Sequence, residues 1–347
     1  MDNQENRPAH PEIRPWRYIP ILIILGLGAY VLLPQIGSLQ QSWLVVQNMT
    51  WWAVALAALS QVLSYLGAGY MLHAILDIQH QKLPIWKGAL IILGSASVGL
   101  VAGGWVGSAA ATYEWIHKEN QNGNAAAMAG TLPALLDNFA LVVVTLAGVL
   151  YLLLMHDLSN TQLIEFGIIL LALILLAAGG VLILHYPKAA TRLIIWLAGR
   201  WQALRRKPFS PEPIIAAMNQ FIETWQSLRK GNWERPMLGA IANLAFDILT
   251  VQFLFIAAGH PVSIGILIAG YGLPFILGKM AFMLPGGVGV IEAGMVAIYD
   301  SLKIPNAVSV VVILGYRLFS FWLPTLLGFA VAAYLSGKSP STKGDPV

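Results

Sequence analysis

Five ionisable side chains interrupt long apolar runs of this chain: Asp137, Asp247, Lys279, Glu292 and Arg317. Holding a charge at bilayer depth costs about 3 kcal/mol on insertion scales, so each group needs a partner or a task. Pairing is the plainer use: Asp247 with Lys279, and Glu292 with Arg317, would neutralise one another and fix helix packing. The other use is a polar pathway. There Arg317 would make a two-pronged phosphate contact, Lys279 would add a point charge, and Glu292 would meet an amine or gate Arg317. Asp137 could sit high enough in its run to reach water. Catalytic alternatives find little support. The seven His show no metal-ligand spacing, Cys is absent, and neither a G-x-S-x-G elbow nor a Walker A sequence occurs. Gly286-x-x-Gly289 inside an apolar run is too little for dinucleotide binding. The reading is a non-enzyme with no metal and no cofactor.

Two glycine turns must position these groups. The run from Ala281 to Tyr299 is broken at Pro285-Gly286-Gly287, with Gly289 and Glu292 just beyond. Proline and paired glycines free backbone groups that lipid cannot satisfy, so the run reads as a re-entrant or broken element lining a polar cavity. The freed N–H groups and the positive end of the following half-helix could hold an anion such as a phosphodiester. Upstream, Ala102-Gly103-Gly104-Trp105-Val106-Gly107 repeats the theme, and Glu114 follows it.

Composition fixes the surroundings. With 57% hydrophobic residues, 10% charged and twelve Trp, the chain belongs in a membrane. No Asp, Glu, Lys or Arg lies between Tyr18 and Leu76, whereas Lys188 to Arg235 holds nine of the twenty Lys and Arg. The net charge of +4 therefore speaks of positive-inside loops rather than nucleic acid. Arg7, Arg14 and Arg17 place residues 1–17 in the cytoplasm, and Tyr18 to Leu33 reads as a retained first helix rather than a cleaved signal. Loop 34–50 is charge-free and suits the outside. Trp51 to Leu76 then returns, 125–154 runs outward, 168–184 inward, 236–258 outward and 306–335 inward. Parity leaves 89–112 and 264–302 each starting and ending on one side, as hairpins entering from opposite faces. That is the pattern of an inverted repeat. Between them, 189–204 and 214–228 read as amphipathic helices on the inner leaflet, within a basic cytoplasmic loop at 188–235.

The block L-P-G-G-V-G-V-I-E-A-G from Leu284 to Gly294, followed by Gly315-Tyr316-Arg317, resembles the lysylphosphatidylglycerol synthase transmembrane family, also met as flippase-like UPF0104 proteins. The resemblance covers about Arg17 to Leu335. It implies movement of an aminoacylated phospholipid between leaflets. Relatives that also make this lipid carry a soluble aminoacyl-transferase domain, which does not follow here, so the resemblance implies translocation and not synthesis. Pro285 to Glu292 and Arg317 match the family pattern residue by residue. The first block departs from it: Ala102 replaces the usual proline, and no acid follows until Glu114.

The expectation is therefore an all-α, polytopic helical bundle in the bacterial inner membrane, with both termini cytoplasmic. Residues 18–335 form the transmembrane domain and 336–347 a cytoplasmic tail. Substrate would meet Gly103, Gly104, Asp137, Asp247, Lys279, Gly286, Gly287, Gly289, Glu292 and Arg317. The expected partners are membrane lipids, a cytoplasmic lipid-modifying enzyme and a second copy of the chain, with no nucleic acid. Two alternatives stand beside the lipid flippase: a non-transporting scaffold for such an enzyme, and a secondary carrier of a small anion.

Overall fold

The computed structural model describes residues 39–155, 158–204, 210–212, 215, 219, 233–280 and 285–337. Its elements are α1 (Leu39–Gln47), α2 (Trp51–Ile78), α3 (Ile85–Val101), α4 (Trp105–Asn120), α5 (Gly123–Met155), α6 (Asn160–His185) and α7 (Pro187–Leu204). There follow α8 (Glu234–Ala257), α9 (Ile264–Met280), a 3₁₀ turn (Pro285–Gly287), α10 (Val290–Ser301), α11 (Asn306–Arg317), a π turn (Leu318–Trp322) and α12 (Leu323–Gly337). No strand occurs among the described residues.

Length separates the helices into two kinds. Five stretches are long and apolar enough to cross a membrane: α2, α5, α6, α8 and the continuous Asn306–Gly337. At 17 residues each, α3 and α9 reach only about 25 Å, short of a hydrocarbon layer of roughly 30 Å. Each is followed by a glycine turn and a second short helix that packs back on it. Both are the expected helical hairpins. The first closes at its base through the ion pair of Lys87 with Glu119.

The starts of α2 and α8, the two glycine turns, and the starts of α5 and α11 are each 183 residues apart (51 to 234, 103 to 286, 123 to 306). The two units face each other across three extensive seams, α2 on α8, α3 on α12 and α5 on α9. All three are antiparallel. Gly67 lies against Asn243 while Gly239 lies against Met71; Gly94 meets Ala332 while Gly328 meets Ser97; Gly265 meets Tyr151 while Gly272 meets Thr145. The fold is thus an inverted repeat, with α2 and α8 crossing near their midpoints. Lipid is as apolar as leucine, so small residues that let backbones approach build such seams. A methyl group on Gly67 would stand 2.6 Å from the Asn243 backbone nitrogen. Polar contacts fix the register. Ser64 Oγ lies 2.6 Å from Asn243 Oδ1, the Thr50 N–H donates to the Ala257 carbonyl at 2.8 Å, and Arg235 pairs with Asp77 at 3.2 Å.

These directions match those that charge and parity imply. One correction falls on loop 34–50, where Leu39–Gln47 is helical and packs on α11. Charge decides sidedness but carries no period, so it missed this short helix. The first amphipathic segment is helical as α7, continuing from α6. The proposed first helix at 18–33, the second amphipathic segment at 214–228 apart from the helical residues 215 and 219, and the tails at 1–17 and 338–347 lie outside the described residues.

Candidate functional site

The second glycine turn is held by charge. Gly286, Gly287 and Gly289 all have positive φ (65°, 63° and 89°), a region that side chains adopt only under strain. Glu292 sits three residues past Gly289 and accepts its N–H at 2.7 Å, capping α10 with its own carboxylate. Its other oxygen accepts from Arg317 Nε at 2.5 Å. Arg317 also donates from Nη2 to the Gly286 carbonyl at 3.1 Å, and its guanidinium lies 4.4 Å from the centre of the Phe321 ring. Glu292 is 4% exposed and Arg317 3%, so an arriving phosphate would have to displace the carboxylate to reach the guanidinium. Of the two uses open to this pair, the geometry makes the pairing, and Glu292 takes the Gly289 N–H that an anion would have used.

The first turn is built differently. Gly103 and Gly104 also have positive φ (91° and 71°), but both are exposed, and nothing lies within 4 Å of where a Cβ would be. No ion pair reaches them among the described residues; Glu114 pairs outward with Lys118 at 2.6 Å.

The remaining three ionisable residues form a second group. Asp137 on α5, Asp247 on α8 and Lys279 on α9 line one half-open cavity of about 120 Å³, together with Leu141, Asn243, Leu244, Tyr271 and Phe275. Helical spacing explains the gathering: Asp137 and Leu141, Asn243 and Asp247, and Tyr271, Phe275 and Lys279 each follow an i, i+4 row that puts one face of each helix on the cavity. Asp137 therefore sits inside the bundle at mid-helix, half-buried.

The expected ion pair of Asp247 with Lys279 is not made. Asp247 Oδ2 instead accepts from the hydroxyl of Tyr271 and, at 2.7 Å, from that of Tyr316. Lys279, which is exposed, donates to Asn138 Oδ1 at 2.5 Å. Tyr271 and Lys279 are two turns apart on α9, so the nearer group takes the carboxylate. The five charges thus form two groups, joined by the adjacent Tyr316 and Arg317 on α11. Tyr316 stood in the sequence only as part of the Gly315-Tyr316-Arg317 block, and Tyr271, Asn138 and Asn243 carry no cost signal as uncharged polar residues in apolar runs; the i, i+4 rows could have found Tyr271 and Asn243.

The profile of the lysylphosphatidylglycerol synthase TM region matches residues 18–328. A UPF0104 membrane protein of Pyrococcus horikoshii is 27% identical over 248 residues, 69% of this chain and 73% of that protein. A second, of Methanothermobacter thermautotrophicus, is 24% identical over 218 residues, 60% and 62% of the two chains. A third, of Methanocaldococcus jannaschii, is 26% identical over 134 residues, 38% and 40% of the two chains.

Proposed function

The chain belongs to the lysylphosphatidylglycerol synthase TM region family of membrane proteins, and from that premise we propose that it moves a phosphate-bearing lipid, such as an aminoacylated phospholipid, between leaflets of the bacterial inner membrane. The observation that carries this reading is the half-open cavity at mid-helix depth lined by Asp137, Asp247 and Lys279. Purely structural charges pair off, as Glu292 and Arg317 do; these three do not. Lys279 is exposed and held by a neutral amide, which leaves its charge for a phosphate at the cavity rim. The acyl chains would stay in lipid beside the bundle. The clamped turn keeps α9 and α10 in place while the cavity is used. Lysine in the family's name fits a headgroup that carries both charges, with its ammonium facing the two carboxylates.

Proteoliposomes holding acyl-labelled lysylphosphatidylglycerol test this. The wild-type chain should equilibrate the label between leaflets, and Lys279→Ala and Asp247→Asn should each slow it at least tenfold. Parent rates in both variants, or no protein-dependent movement of this lipid or of phosphatidylglycerol, would sink the reading.

A further inference from the structure

Two carboxylates and one ammonium line the cavity, a formal charge of −1 inside the bundle. The ion pairs among the described residues are Lys87 with Glu119, Lys118 with Glu114, Arg235 with Asp77 and Arg317 with Glu292, so neither Asp137 nor Asp247 has a cation in contact. Lys279 is turned onto Asn138. Gln61 on α2 is 7% exposed and its side-chain amide donates to Asp247 from outside the cavity lining, so Asp247 is met by neutral donors only. A carboxylate inside the bundle with no cation in contact is costly unless something positive meets it.

We propose that the cavity binds one monovalent cation between Asp137 and Asp247, with Lys279 set aside on Asn138 to make room. Charge selects the ligand class. One monovalent cation brings the lining to neutrality, a divalent cation would overshoot it, and an anion would double the deficit. Size agrees: about 120 Å³ is less than the roughly 150 Å³ that holds a benzene ring, enough for a small ion with water or for an ammonium terminus but not for a phospholipid headgroup. Tyr271 and Tyr316 spend their hydroxyls on Oδ2 of Asp247, which orients that carboxylate within the cavity. The cation and Lys279 compete for the same carboxylates. A phosphate that draws Lys279 to the rim therefore favours the cation, and by reciprocity the cation favours the phosphate. The binding claim stands whether or not lipid moves.

The purified full chain in dodecyl maltoside tests it, with thermal unfolding followed during titration with sodium, potassium or methylammonium chloride. N-methyl-D-glucamine chloride holds ionic strength constant, and magnesium chloride is the divalent control. At least one small monovalent cation should raise the midpoint saturably, and magnesium should not. A response to methylammonium alone identifies an amine terminus as the ligand, and a response to sodium or potassium an inorganic ion. Asp137→Asn and Asp247→Asn should each weaken the apparent affinity at least tenfold. Lys279→Met, which removes the competing ammonium, should tighten it at least fivefold and decides the matter if an Asp variant does not fold. No saturable response, an equal response to magnesium, or affinities unchanged in all three variants would overturn the site. A lipid assay that fails while this titration succeeds removes the translocation reading and leaves the cation site standing.

Discussion

The two glycine turns both reverse the chain through positive-φ glycines and differ in what surrounds them. At Gly103 and Gly104 the chain reverses in the open, with nothing within 4 Å of an added Cβ and no ion pair at the turn among the described residues. At Gly286 the same reversal is roofed by Phe321, tied by its carbonyl to Arg317, and capped through Gly289 by Glu292. A positive-φ glycine pair is enough to make a hairpin; the ion pair is needed to hold one at a chosen place. The held hairpin is the one that carries Lys279 and Tyr271 to the cavity, so its clamp serves the site beside it.

The largest test of this contrast removes the clamp. Arg317→Met leaves Glu292 buried without its partner and should cost about 3–5 kcal/mol in equilibrium unfolding in mixed detergent micelles. Adding Glu292→Gln should restore much of that loss, and wild-type stability in the single variant would mean the clamp holds nothing. Gly286→Ala comes next. A residue at φ 65° loses roughly 1–2 kcal/mol, and the added methyl group meets the Phe321 ring, for about 2–4 kcal/mol together. Combining it with Phe321→Ala should reveal a coupling of about 1 kcal/mol or more in a double-mutant cycle. Gly103→Ala should show only the backbone loss of roughly 1–2 kcal/mol, since space around it is open. Equal losses at Gly103 and Gly286 would erase the distinction between the turns. Single cysteines at Asn122 and Lys303 should leave stability unchanged and label from opposite faces of the membrane; labelling from one face would break the inverted repeat.

The hairpins were legible because paired glycines punctuate apolar runs too short to cross twice, and the spans because length and charge are coarse signals. Glu292 and Arg317 were legible as complementary charges, whereas the cap that Glu292 places on the Gly289 N–H emerges only from the geometry. The cavity was only half legible. Its charges announced themselves, but their partners are Tyr271, Tyr316 and Asn138, residue types with no penalty for standing in an apolar run. Hence Asp247 was paired by charge with Lys279, where the structure satisfies it with two hydroxyls. The Tyr316-Arg317 step shows why one dipeptide serves both groups: consecutive residues on a helix project about 100° apart, one toward α8 and one toward the turn.

The three antiparallel seams each join a helix of one unit to a helix of the other. In assembly terms the chain is a dimer of two unlike subunits on one polypeptide, and neither subunit alone can cover its glycine-lined faces. Residues 1–204 and 233–347, expressed as separate polypeptides in one cell, should therefore find each other and co-purify. Gly67→Leu, which drives a side chain into Asn243, should abolish that association.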